Sequence, residues 1–231
     1  MHALVFDGDL IVTILQIITI DVLLGGDNAV VIALACRQLP PELRGKGIFW
    51  GTFGAIVLRI VLVFFALELL AFPYLRLAGS VLLLWIGIKL LLPEADDHAG
   101  IPASTHLLGA IRTVIVADTV MSLDNVVAIA GAANGHIGLV AAGILISVPI
   151  IVWGSQLVLR LMDRFPIVIT FGAALLGWIA GEMVLDDRAL AIRLGALPPW
   201  SHYAVPLAGA LLVIGIGHTL AKHRQRRKIG R

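Results

Sequence analysis

Apolar runs of about 20 residues recur along this chain, separated by short polar stretches, and their length restricts what it can fold into. At about 1.5 Å per residue, 20 helical residues cross the ~30 Å hydrocarbon core of a bilayer. The runs are continuous and do not alternate with period two, which points to helices rather than a β-barrel. A content of 59% hydrophobic and 14% charged residues, with a mean hydropathy of +1.00, excludes an ordinary soluble domain. The pattern predicts seven transmembrane helices at about 10–35, 48–70, 73–92, 107–133, 137–161, 165–185 and 203–221. Asp7 and Asp9, not Lys or Arg, precede the first run, so it reads as a permanent span rather than a cleaved signal.

That first run holds what a bilayer should reject. Residues 21–35 contain Asp21, Asp27 and Asn28, and an ionised carboxylate at mid-membrane costs about 3 kcal/mol on insertion scales. The pattern returns 97 residues later: Asp21, Asp27 and Asn28 match Asp118, Asp124 and Asn125, and Val30, Ile32, Ala33 and Ala35 match Val127, Ile129, Ala130 and Ala132. Two copies of D-x5-D-N in two separate spans argue for function over helix packing alone.

The repeat is wider than the motif. Phe72-Pro73 opens a span with Gly79, Leu82, Leu83, Trp85 and Ile86, and Phe165-Pro166 opens another with Gly172, Leu175, Leu176, Trp178 and Ile179, at an offset of 93. Three spans per copy force the second copy to cross in the opposite sense. The expected fold is therefore all-α and polytopic: two inverted three-helix repeats (10–92 and 107–185), one extra helix (203–221) and a basic tail (222–231), in a single transmembrane domain spanning 1–231. Arg37, Arg44, Lys46, Arg160, Arg164 and the Lys/Arg-rich tail place the N-terminus outside and the C-terminus in the cytoplasm. The tail reads as an anchor beside anionic lipid, and nothing calls for nucleic acid. Oligomeric state stays open.

All four Asp residues lie within about 5 Å of the expected midplane, where an inverted repeat places its substrate. Inversion sets Asp27 level with Asp118 and Asp21 level with Asp124. Carboxylates and amide carbonyls are hard donors suited to Mg²⁺, Ca²⁺ or Mn²⁺, and Met121 tilts the choice toward Mn²⁺. Gly25-Gly26 would allow a helix break in the first copy, while Ser122-Leu123 replaces the pair in the second. Arg59, in the middle of span two, requires a partner, with Asp21 or Asp27 the expected one. Lys89 and Glu182 occupy equivalent repeat positions, but inversion separates them to opposite surfaces. Cys36 is expected to face the inside, and Gly135 the outside.

These residues resemble the TerC family of bacterial integral membrane proteins, in its short seven-span subgroup. The resemblance rests on Asp21-x5-Asp27-Asn28-Ala-Val-Val-Ile-Ala and Asp118-x5-Asp124-Asn125-Val-Val-Ala-Ile-Ala, with the Phe-Pro and Trp marks of spans three and six. It implies a fold related to the LysE transporter superfamily, an inner-membrane location, and Mn²⁺ efflux rather than an enzymatic activity. Asp21, Asp27, Asn28, Asp118, Asp124 and Asn125 carry over as metal ligands, with no resident cofactor. Alternatives are export of a cationic organic solute, an accessory role in tellurium resistance and, remotely, an intramembrane aspartyl enzyme. The last lacks its Gly-x-Gly-Asp signature, since Leu24 lies three residues before Asp27.

Four carboxylates converging at low dielectric cannot all stay ionised, so an empty cluster should hold protons. A divalent cation favours the ionised form and expels them. Competition for one site, combined with alternating access, suffices for proton antiport.

Overall fold

The computed structural model describes residues 26–65, 72–92, 103–132, 137–194 and 197–229, with Leu15, Ile18 and Thr19; side chains at 103–104, 124–132, 137, 139–141, 194 and 224–229 are excepted. Its elements are α1 (Gly26–Arg37), α2 (Pro41–Phe64), α3 (Leu75–Leu91), α4 (Ala103–Ala132), α5 (Ile137–Arg164), α6 (Ile167–Leu185), α7 (Arg188–Leu194) and α8 (Ser201–Ile229). No strand occurs among the described residues.

Five of these helices are long and apolar enough to cross a membrane: Pro41–Phe64, Thr105–Leu123, Ala142–Arg164, Ile167–Leu185 and Ser201–His223. The first and third expected spans correspond to shorter elements. α1 has 12 residues because the chain before Gly26 lies outside the described residues, as does any break at Gly25. α3 has 17 residues, about 26 Å of helix. Tyr74, held left-handed at φ 61° after Pro73, sets its start.

α1 is the centre of the bundle. Val31 through Cys36 are all at most 5% exposed, so this helix is enclosed on every side rather than along one stripe. It packs against α2, α4, α5 and α6. Large apolar side chains elsewhere face outward, among them Trp50, Phe53, Trp85, Trp153 and Phe171, as a lipid-facing surface demands.

Glycines set the helix pairs. A Cβ at Gly47 would meet Leu107 at 3.6 Å, at Gly51 Val114 at 3.0 Å, and at Gly54 Ile115 at 2.5 Å. Residue numbers rise together, so α2 and α4 run parallel. α3 and α6 run antiparallel: Gly79 abuts Met183, and Gly87 abuts Leu176 and the Ala173 carbonyl. α8 lies antiparallel on α6 by backbone contact, Gly177 against Gly209 and Gly181 against Pro206. Small residues permit this closeness in lipid, where packing rather than hydrophobic exclusion joins helices.

Three expectations need correction. Span two begins at Pro41, not near residue 48. Pro41 suits the first helical turn, and Glu42 complements the helix dipole there. The charged stretch that reads as a loop is helix extending past the apolar layer. Arg44 donates to the carbonyls of Arg37 and Leu39 at 3.0 Å each and pairs with Asp163 at 2.7 Å, closing the corner. The stretch 186–202, read as a loop, contains α7. Asp187 caps it, accepting from the Ala189 and Leu190 amides at 3.0 and 3.1 Å, and its other oxygen accepts from the Leu77 amide at the start of α3. The tail continues α8 as far as Ile229, since Lys, Arg and Gln are good helix formers.

Cys36 is fully buried beside Gly47, so its silence toward a thiol reagent carries no information about sidedness. Gly135 lies outside the described residues. Gly45 is exposed with open space around it, and Ile192 is 77% exposed beyond the opposite end of α6. With the N-terminus outside, G45C should resist an impermeant maleimide on intact cells while I192C reacts. The reverse labelling would invert the topology.

Candidate functional site

α1 carries Asp27 in its first turn, followed by Asn28; α4 carries Asp118 and, one turn on, Ser122; α2 carries Arg59. The parallel packing of α2 on α4 puts Arg59 level with Asp118. Arg59 and Asp118 are 3% and 5% exposed, and their ion pair is 2.5 Å from Nη2 to Oδ1. Arg59 Nε also donates to Ser122 Oγ at 2.9 Å, and that hydroxyl donates to Asp118 Oδ2 at 3.1 Å. The three side chains form a closed buried triangle in which both Asp118 oxygens are engaged. Splitting such a pair leaves a buried charge uncompensated, at about 3–5 kcal/mol.

Asp27 lies within coulombic range of both Asp118 and Arg59. Its Oδ1 accepts the Asn28 amide at 2.8 Å. Asn28 is 2% exposed, and neither its Oδ1 nor its Nδ2 has a partner among the described residues. Unpaired buried amide atoms cost about 1–3 kcal/mol each, so this side chain is costly unless it has a ligand to meet. Asp27 and Asn28 thus offer a carboxylate and an amide oxygen, both hard donors, on a helix that packs against the one carrying Asp118.

Of the six expected ligands, the structure describes Asp27 and Asn28 on α1 and Asp118 on α4, two helices that pack together. Asp21 lies outside the described residues; Asp124 and Asn125 are on α4, with their side chains outside them. Among the described residues no three His, Cys, Asp or Glu converge on one point. The ion pair described for Arg59 runs to Asp118, because α2 lies along α4; Arg59 is also within coulombic range of Asp27, while Asp21, the other expected partner, lies outside the described residues. Ser122, read only as a replacement for glycine, is the missed member; its i+4 spacing from Asp118 on one helix was the available signal. Lys89 and Glu182 sit over their own tryptophans, Lys89 Nζ 5.1 Å from the Trp85 ring centre and Glu182 Oε1 accepting from Trp178 Nε1 at 2.7 Å. Glu68 and the acidic stretch 94–98 lie outside the described residues.

Two polar-lined cavities lie toward opposite ends of the bundle. One, of about 160 Å³, is lined by Arg76, Leu123, Asp186 and Asp187 among others. The other, of about 220 Å³, is lined by Gln38, Lys89, Thr105, His106 and Thr113 among others.

Comparison with known proteins places this arrangement. The chain is 46% identical to the uncharacterized membrane protein YjbE of Bacillus subtilis over 80% of its own length and 85% of that protein's. It is 24% identical to the uncharacterized membrane protein YceF of the same organism, over 92% of this chain and 84% of that one. It is 23% identical to the inner membrane protein YgdQ of Escherichia coli K12, over 73% and 78%. No solved structure matches. The model of the integral membrane protein TerC family matches residues 6–226, and the chain belongs to that family.

Proposed function

We propose that this protein exports a divalent cation, Mn²⁺ in the first instance, across the bacterial inner membrane by exchange for protons. Asp27, Asn28 and Asp118, with Asp21, Asp124 and Asn125, form the midplane site. The observation that carries this reading is the approach of Asp27 to Asp118, two carboxylates from duplicated motifs set within coulombic range in the membrane interior. A buried hard-donor set of this kind is rewarded by a hard cation.

Inverted repeats in seven spans belong to the same reading, and three observations support them. The matched helices α3 and α6 run antiparallel against each other. Gly79 of α3 abuts Val120 of α4, and the matched Gly172 of α6 abuts Val30 and Leu34 of α1, so each repeat's glycine packs on the other repeat's Asp helix. Exchanging the repeats also turns the α2–α4 contact into the α5–α1 contact, and both occur. Polar cavities at both ends suit access from either side, while Asp118 between them is buried and Asp27 half-buried. That enclosure favours a bare ion over an organic solute. An Asp118 held by Arg59 also differs from the proton-sharing Asp pair of an aspartyl enzyme.

The test uses purified protein in liposomes containing a Mn²⁺-sensitive dye, with voltage clamped and a pH gradient imposed. Mn²⁺ flux and its apparent affinity should change across about pH 6–8, a range covering buried carboxylates. A flux indifferent to pH would replace antiport with uniport. A dye that stays silent while a cationic organic solute is taken up would replace the cargo.

A further inference from the structure

We infer that Arg59 is a built-in counter-ion that takes the cargo's place on Asp118 whenever the site carries no cargo; this rests on the transport reading above. Arg59 lies mid-way along α2, 3% exposed, with its guanidinium on Asp118 Oδ1 and its Nε on Ser122. Asp118 Oδ2 is taken up by the Ser122 hydroxyl. A divalent ion held by Asp118 would stand beside that guanidinium in a low-dielectric interior, where like charges repel strongly. Cation and guanidinium therefore compete for Asp118.

The consequence lies in the transport cycle. Net transport requires the carrier to return without metal, and while protons neutralise the other carboxylates on that leg, Asp118 crosses as a carboxylate in the membrane interior. An uncompensated buried charge makes that step slow. Arg59 supplies the compensation from within the chain. Loaded-to-loaded exchange never visits the unloaded carrier and does not need Arg59. An arginine that only held α2 against α4 would affect both modes alike.

The experiment compares wild type, R59Q and R59K, full length in liposomes with the same pH on both sides, after monodispersity is verified. Net Mn²⁺ uptake and Mn²⁺/Mn²⁺ exchange are measured separately, together with equilibrium Mn²⁺ binding. In R59Q, net uptake should fall about tenfold or more while exchange stays within about twofold, and Mn²⁺ should bind about tenfold tighter because its competitor is gone. R59K retains the charge but is too short to bridge Asp118 and Ser122 together, so its net uptake should be intermediate with exchange unchanged. If R59Q does not fold, R59K alone decides. Net uptake and exchange falling in parallel, or weakened Mn²⁺ binding, overturns the counter-ion role while leaving the transporter intact. A wild type inactive in both modes overturns the transport reading and this inference with it.

Discussion

Asp27→Asn is expected to reduce Mn²⁺ flux at least about 30-fold while leaving the melting temperature close to that of wild type. Losing a buried charge partner costs a bound ion about 2–5 kcal/mol, and 2 kcal/mol is already about 30-fold in affinity. Stability should hold because the hydrogen bond shown at Asp27 is to its neighbour's amide, not to a cation on another helix. Asp118→Asn should behave differently. It removes the same kind of ligand and also the carboxylate that Arg59 Nη2 meets, so flux and stability should fall together. Adding Arg59→Gln to Asp118→Asn should restore part of the stability and none of the flux, since the double variant replaces the charged pair by two neutral amides and has no ligand at that position. Flux in proteoliposomes and fluorescence-detected melting of the same preparations separate the two effects. Wild-type flux in Asp27→Asn would remove the first motif from the site.

Gly181→Leu and Gly177→Leu should prevent assembly of the folded bundle, each destabilising by more than about 3 kcal/mol. A Cβ at Gly181 would lie 2.5 Å from the Pro206 Cα, and one at Gly177 would lie 2.5 Å from the Gly209 carbonyl oxygen. Both obstacles are backbone and cannot rotate away, unlike the side-chain tip that limits Gly217, Leu91 Cδ1. Separating α8 from α6 would also strip cover from the core around Leu176, Ala180 and Met183. Gly215→Ala provides the control: nothing lies within 4 Å of its added Cβ, and replacing a helical glycine gains up to about 1 kcal/mol of propensity. Size-exclusion profiles in detergent decide the matter. A monodisperse Gly181→Leu protein with an unchanged melting temperature would mean that α8 does not pack on α6 as described.

Some of this molecule was legible one residue at a time. Membrane helices follow from runs of apolar residues, because bilayer thickness and helical rise are constants. Asp27 and Asp118 were set near one level by counting along two spans, and the two helices that carry them pack against each other. The separation of Lys89 from Glu182 followed from the same counting. Helix ends were less legible. Glu42, Arg44 and Lys46 look like a loop to any reading based on hydropathy, yet they continue α2 because Pro41 and the dipole favour a helix start there.

What only the tertiary structure decided is which helix lies against which, and with which face. Depth alone allowed Arg59 to pair with any carboxylate near the midplane. The choice of Asp118 depends on Gly47, Gly51 and Gly54 admitting α4 along α2, and on Ser122 standing one turn beyond Asp118 to hold the guanidinium. Cys36 at a helix end looked accessible, but the corner closed by Arg44 seals it beneath Gly47. Hydropathy and periodicity act along one chain segment, whereas the Arg59–Asp118 and Arg44–Asp163 pairs join residues 59 and 119 positions apart, and only packing in three dimensions selects them.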